Sequence, residues 1–468
     1  MSVAAFTTQT THAAKQPMVG RMVFMAILAA VAGLMFGLDI GVISGALGFI
    51  AKEFNATQGQ QEWIVSSMMF GAAVGALCAG RASFMLGRRI SLIVSATLFV
   101  IGALGCALSH SVPELIIARV LLGVAIGVAS FVAPLYISEI ADESHRGGLI
   151  SVYQLMITVG ILVAFISDAL FAYVDSWRWM LGVVAIPGVL FLVGAFFLPD
   201  SPRWLMLRGR DADAVKVLYS IRQTEGEARE EAEGIKMQLQ QKQLGFSMFR
   251  SNPNFRRSVF LGIGLQIVQQ LTGINVVMYY APRIFEVAGF GQDGQLWGTA
   301  IVGLVNVLST FIAISFVDRW GRRPMLIAGF IIMAIGMGML ATLLGMTGTS
   351  DIARYLSVAV LLAFIVGFAF SAGPLIWILC AEIQPLQGRD FGIACSTLTN
   401  WVANMIVGAT FLTLLTSLGA SHTFWVYALM NIAFIAVTIA FVPETRGVTL
   451  ESIERKLNRG MKLREIGR

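Results

Sequence analysis

The chain has 468 residues, of which 57% are hydrophobic and 13% charged. A soluble globular domain carries about 25% charged residues, so this chain cannot clothe itself in polar surface and needs a lipid bilayer as its partner. A formal net charge of +6 could suggest nucleic acid, but the Arg and Lys residues fall between apolar runs rather than along one face, which argues against that class.

Taken in order, residues 1–21 are polar and lack the basic-then-apolar order of a cleavable signal, so the first apolar run is expected to be a retained span. A helix needs ~20 mostly apolar residues to cross the hydrocarbon core. Runs of that kind lie at 22–50, 63–82, 90–110, 113–136, 148–173, 178–199, 257–288, 297–318, 324–346, 353–380, 390–418 and 422–443. Alternation at period two is absent, which argues against an outer-membrane barrel. Pro134 and Pro374 fall inside runs, where neighbouring helices can satisfy freed backbone groups. Cys78, Cys106, Cys380 and Cys395 lie in or at the ends of apolar runs and read as small packing residues, not a disulfide framework.

The chain is thus expected to be an all-α membrane protein of twelve transmembrane helices in two six-helix bundles, 22–199 and 257–443. A charged linker at 200–256 joins them, and short tails at 1–21 and 444–468 flank them. Stretches DADAVKVLYSIRQ and EAREEAEGIKMQLQQ in the linker, and TLESIERKLNRG in the tail, read as amphipathic helices. Arg88, Arg89, Arg146, Arg319, Arg322, Arg323, Arg389 and the basic linker and tail all fall on one side. The positive-inside rule makes that side cytoplasmic, with both termini there. The opposite loops are read as acidic and polar, with Lys52 the clearest exception. An internal repeat supports the two halves: LGRRISLI returns as WGRRPMLI, SEIADESHRG as AEIQPLQGRD, and FLPDSPR as FVPETRG, in order and at nearly one offset.

Three groups could carry chemistry. Asp39 lies midway along the first span, where an ionised carboxylate costs at least ~2.5 kcal/mol. It should be neutralised, paired or functional, and Arg119 in span four is its natural partner. Oil disfavours the charged form and a cation favours it, so a group held between them can exchange a proton. A static ion pair is the bland alternative. Gln154, Gln269, Gln270, Asn275, Asn306 and Asn400 are uncharged amides inside apolar runs, each with donors and acceptors for hydroxyls. Phe36, Tyr280, Trp377 and Trp401 offer flat apolar faces in the same kind of run. Interhelical hydrogen bonding is the competing reading, and it is preferred for Gln266 and Asn404. The third group, Arg88, Arg89, Glu139, Arg146, Asp318, Arg322, Arg323, Glu382 and Arg389, is expected to form salt bridges joining the halves in an outward-facing state. His110, His145 and His422 read as surface residues. No phosphate loop, metal-spaced set or nucleophile constellation occurs, so neither an enzyme, a metal nor a cofactor is expected.

At GRR after spans two and eight, PDSPRWL at 199–205, QQLTGINVVMYY at 269–280 and VPETRG at 442–447, the sequence resembles the sugar porters of the major facilitator superfamily, from about Gly33 to Gly467. FGLDIGVISGAL, QEWIVSSMMFGAAVGA, CSTLTNW and the KLREIG ending look more narrowly like the bacterial galactose–proton and arabinose–proton symporters. The resemblance implies a monomeric symporter of the bacterial inner membrane, moving a galactose-type monosaccharide with a proton. Asp39 and Arg119 would couple the proton, and the amides and aromatics, with Gly373, would bind sugar mostly from the second half. An uncoupled facilitator, an arabinose-preferring symporter and a sugar sensor are the alternatives. The chain departs from the family at Ser83 and Phe84, where many members carry an acid, whereas Asp318 is kept in the second half. Gly48 replaces a usual Pro, so the end of span one is expected to bend differently, and Leu38 replaces a Tyr of xylose-type relatives.

Overall fold

Lipid offers no hydrogen-bond partner, so a segment crossing it must satisfy its backbone internally, and helices do this. The computed structural model describes residues 16–142, 145–222, 224–239, 245–346 and 350–467, and the described residues contain helices and no strand. In the first half, α1 (Gln16–Phe54), α2 (Gln58–Leu86), α3 (Arg88–Ala107), α4 (Val112–Ile140) and α5 (Arg146–Phe171) are followed by a sixth span in two pieces, α6 (Trp177–Val183) and α7 (Ala185–Ala195). The linker carries α8 (Pro202–Leu207), α9 (Asp211–Ile221), α10 (Glu225–Leu239) and α11 (Gly245–Ser251). The second half holds α12 (Pro253–Leu271) with α13 (Ile274–Val287), α14 (Gln292–Trp320), α15 (Arg322–Gly345), α16 (Asp351–Phe370) with α17 (Ala372–Glu382), α18 (Arg389–Leu418) and α19 (Ala420–Phe441). A tail helix, α20 (Leu450–Asn458), follows. Among the described residues, 12 helical stretches are long and apolar enough to cross a membrane, one for each expected run.

The expected amphipathic helices are α9, α10 and α20. Arg222, after α9, pairs with Glu231 of α10 and donates from Nη1 to the Ile140 carbonyl at 2.8 Å, fastening these helices to the end of α4. The tail binds the second half: Asn254 Nδ2 donates to Asn458 O at 3.2 Å and Arg257 Nη2 to Met461 O at 3.0 Å. Through Gly48, α1 runs as one helix, because glycine leaves the backbone N–H in place whereas proline would remove it.

Small residues set how closely the helices of the first half approach. Oil supplies no hydrophobic drive between helices, so packing decides which faces meet. A Cβ on Gly37 of α1 would lie 1.9 Å from the Ile157 carbonyl oxygen of α5, and one on Gly160 would lie 2.4 Å from Leu34 O. The α2–α4 seam repeats the device: a Cβ on Gly71 would lie 2.1 Å from Val120 O, and one on Gly123 2.0 Å from Met68 O.

One expectation needs correcting. The face opposite the linker carries Arg178, Arg283 and Arg354 besides Lys52. Each is paired with a carboxylate: Glu53 at 2.8 Å, Glu286 at 2.6 Å and Asp351 at 3.5 Å. These arginines sit at helix ends, where a sequence reading assigns them to apolar runs rather than loops.

Gly37→Leu should force α1 from α5, and overpacking of this kind costs about 1–3 kcal/mol or more. A lower Tm of the purified protein is expected, whereas Gly48→Leu, whose Cβ meets nothing within 4 Å, should leave Tm near the parent's. Equal Tm values for the two variants would refute the close-seam account.

Candidate functional site

Two opposite charges, Asp39 on α1 and Arg119 on α4, are buried at 1% and 0% exposure. Arg119 Nη1 meets Asp39 Oδ1 at 3.4 Å, while Arg119 Nε donates to the Ile64 carbonyl of α2 at 2.6 Å. Among the described residues, Asp39 Oδ2 and Arg119 Nη2 are buried without a hydrogen-bond partner. A charge-assisted N–H···O bond is normally about 2.7–2.9 Å. The guanidinium therefore makes its shorter hydrogen bond to a backbone oxygen rather than to its counter-ion.

In the second half, two helix breaks create the amide cluster. Span seven breaks at Thr272–Gly273, where Gly273 takes φ +97 and a Cβ would press the Met337 and Tyr427 side chains at 3.1 Å. Span ten breaks at Ser371. Gln269 Nε2 crosses between these breaks to the Ala372 and Gly373 carbonyls at 2.8 and 3.0 Å. Gln270 then donates to Asn400 Oδ1 on α18 and accepts from Asn275 Nδ2. The amides predicted at 269–275 and 400 are thus one network. Among the described residues it leaves the Asn400 amide hydrogens and the Asn275 carbonyl oxygen without protein partners.

The aromatics divide. Phe36 of α1 packs on Trp401 of α18 with centroids 5.2 Å apart, joining the halves, and the buried Trp401 Nε1–H has no partner. Trp377 is 37% exposed, one turn beyond Gly373. Tyr280 is buried against Phe411, its hydroxyl donating to Gly408 O at 2.8 Å. It stands at a kink two residues before Pro282, which removes a backbone N–H there. Gln154 on α5 is half-buried and Asn306 on α14 buried. Asn404 donates to the Tyr279 hydroxyl at 3.1 Å, and Gln266 to Cys380 Sγ at 3.7 Å; both are interhelical ties.

The linker-side charges form matched sets within each half. Arg88 pairs with Glu139 at 2.7 Å, and Arg322 with Glu382 at 3.1 Å. Arg89 Nη2 donates to Phe196 O at 2.6 Å and Arg323 Nη2 to Ile439 O at 2.7 Å, each at a helix C-terminus, where cations are favoured. Glu444 accepts from the Arg322 and Arg323 backbone N–H groups, both at 3.0 Å. Asp200 holds the corresponding place in the first half, where partial burial pushes its carboxyl up against the pull of Arg89 and Arg210. Arg146, also in the expected charge set, is exposed. Arg389 Nη2 reaches Gln384 O at 3.5 Å, and the Asp318 side chain lies outside the described residues. These Arg–Glu pairs lie inside the halves because each Glu ends a helix beside its own half's Arg-bearing turn.

Sequence reasoning passed over Glu62 and Asp168, both buried acids in α2 and α5. Asp168 Oδ2 accepts from Gly45 N–H at 3.1 Å. The signal that singled out Asp39, an acid in an apolar run, was present at Asp168 in FISDALF.

Twelve spans around a sealed ion pair, broken helices and a cluster of uncharged amides define a secondary transporter. The chain belongs to the sugar (and other) transporter family, whose model matches residues 25–457. It is 61% identical over 445 residues to the galactose-proton symporter of Escherichia coli K12, covering 95% of this chain and 96% of that one. It is 55% identical over 449 residues to the arabinose-proton symporter of the same organism, covering 95% of each. Among solved structures, the partially occluded inward open conformation of the E. coli xylose transporter XylE superposes with TM-score 0.81 at 31% identity, over 92% of this chain and 100% of that one. XylE bound to 6-bromo-6-deoxy-D-glucose gives 0.77 at 32% identity, over 93% and 99%.

Removing one partner of a buried pair costs about 3–5 kcal/mol, because the other charge is left uncompensated. Arg119→Leu is thus expected to lower Tm by several degrees, and Asp39→Asn added to it should recover part of the loss. A double variant no more stable than Arg119→Leu would mean that the two side chains are not energetically coupled.

Proposed function

We propose that this protein is a proton-coupled monosaccharide symporter working by alternating access, with a galactose-type hexose as its preferred substrate. The observation that carries the coupling is the Asp39–Arg119 contact, a sealed pair at 3.4 Å with one oxygen and one nitrogen unpartnered. A proton arriving on Asp39 removes the negative charge that Arg119 contacts there. The guanidinium keeps its bond to Ile64 O and is freed from α1. One proton thus changes the interaction between α1 and the α2–α4 pair, and α1 also touches the sugar site through Phe36.

Sugar recognition is assigned to Gln270, Asn275, Asn400, Trp401 and Phe36, and Gln154, Asn306 and Trp377 are assigned further contacts to the sugar. Gln269 and Gly373 form the frame beneath them, and Tyr280 fixes the span-seven kink. The preference for galactose rests on the higher identity to the galactose-proton symporter, and arabinose is the second reading because of the 55% relative. The positive-inside rule supports a cytoplasmic linker and cytoplasmic termini, and the twelve spans and bacterial relatives support an inner-membrane location. TM-scores of 0.81 and 0.80 to two inward open structures of XylE support an inward-facing state. Since the pathway lies between the two halves of one chain, a monomer is the transport unit.

In proteoliposomes with an imposed pH gradient, Asp39→Asn should abolish uphill galactose accumulation while sugar exchange persists; full accumulation would remove Asp39 from coupling. Galactose added to cells or vesicles should alkalinise the medium, whereas uptake without alkalinisation identifies an uncoupled facilitator. Asn275→Ala and Gln270→Ala should each raise the half-saturating galactose concentration about 3- to 10-fold, the scale of a lost hydrogen bond. Unchanged affinity in both would move the sugar site elsewhere.

A further inference from the structure

Where the halves meet on the face opposite the linker, a carboxylate of one half grips the backbone of the other. Glu62, near the start of α2, is 5% exposed. Its Oε1 accepts from the Thr413 backbone N–H of α18 at 2.6 Å and its Oε2 from the Thr413 hydroxyl at 2.9 Å. Gln58 Nε2 donates to the same hydroxyl oxygen at 3.2 Å. Ser and Thr hydroxyls inside helices usually turn back to a carbonyl one turn earlier. Thr410, Thr416 and Ser417 do so, to Ile406 O, Leu412 O and Thr413 O. Thr413 instead turns its hydroxyl out to Glu62. Among the described residues Glu62 has no cationic partner within salt-bridge distance, so its buried charge is balanced by these donors and by the nearby N-terminus of α2.

The same turn of α2 is held by the ion pair. Arg119 Nε donates to Ile64 O at 2.6 Å, two residues beyond Glu62. One guanidinium therefore touches Asp39 on one side and the Glu62-bearing turn on the other.

We propose that Glu62 is a latch that closes the face opposite the linker, by docking its carboxylate on Thr413 of the other half, and that Arg119 connects this latch to Asp39. Opening that face separates α2 from α18 and strands the carboxylate from both donors, so the latch favours the state seen here. Hydrogen bonds to a charged group are among the stronger ones, and their loss should raise the open-to-closed ratio about tenfold or more. This inference rests on alternating access but not on proton coupling or on the identity of the sugar.

The test is a distance measurement on full-length protein in nanodiscs, with spin labels at His110→Cys and His422→Cys in a Cys78→Ser background. Both histidines are exposed on the relevant face, one in each half. Glu62→Ala should transfer population from the short to the long distance. Thr413→Val, which keeps the backbone donor, should do so to a smaller extent, and adding it to Glu62→Ala should cause little further change, since only the exposed Gln58–Thr413 bond is left to lose. Glu62→Gln, which preserves shape and one acceptor, should fall between Glu62→Ala and the parent. Distributions for Glu62→Ala and Thr413→Val that match the parent's overturn the latch, as does a double variant in which the two shifts add. The parent alone tests alternating access: one short distance with and without galactose counts against that reading, while the comparison among variants still decides the latch.

Discussion

Two opposite charges sealed from water, touching once and at a long distance, are the constraint on which the rest depends. Burying a charge is tolerable only with compensation, and a partner in good geometry with its remaining lone pairs filled would make the pair permanent. Asp39 and Arg119 lack that completion. The guanidinium spends its shortest bond on Ile64 O, and an oxygen of Asp39 has no donor. A pair so balanced can be broken by one proton, because the proton removes the charge while the backbone bond still holds the arginine in place.

The architecture divides the work around that pair. In the first half, α1, α2, α4 and α5 are long unbroken helices pressed together along glycine seams, which suits an element that must hold two charges in register. In the second half, spans seven and ten are broken, and the amide of Gln269 is drawn to carbonyls beside the break in span ten. Irregular backbone at membrane depth is tolerated where side chains or a cavity satisfy it, and here that place is also where the amides gather. Phe36 and Trp401 bring the two parts into contact. On the linker side each half ties its own helices with the same Arg–Glu device, Arg88–Glu139 and Arg322–Glu382, so neither pair links one half to the other.

Much of this was legible in the order of the residues. Spans announce themselves because oil demands about 20 apolar residues in a row, and the repeat was visible because its arginines, acids and glycines recur in sequence. Asp39 stood out for the same reason, as a charge where charge is costly. The amides of 269–275 were legible as a group because they crowd within a few residues. Glu62 was not, since an acid near a helix start looks like ordinary surface until α18 is seen against it. Which arginine each acid takes was not legible either, because Arg88 meets Glu139 and Arg322 meets Glu382 only where helix ends far apart in sequence come together.

What the amino-acid order determined by itself was the solvent, the number of crossings, the duplication and the residue types able to hold a proton or a hydroxyl-rich ligand, since each follows from local composition and the cost of polarity in lipid. Tertiary structure alone decided which oxygen holds Arg119, which hydrogens of the amide network remain unspent, and which carboxylate reaches across between the halves. Those outcomes depend on contacts between helices far apart in sequence, and a hydrogen bond is made or lost over a few tenths of an ångström that no spacing along the chain encodes.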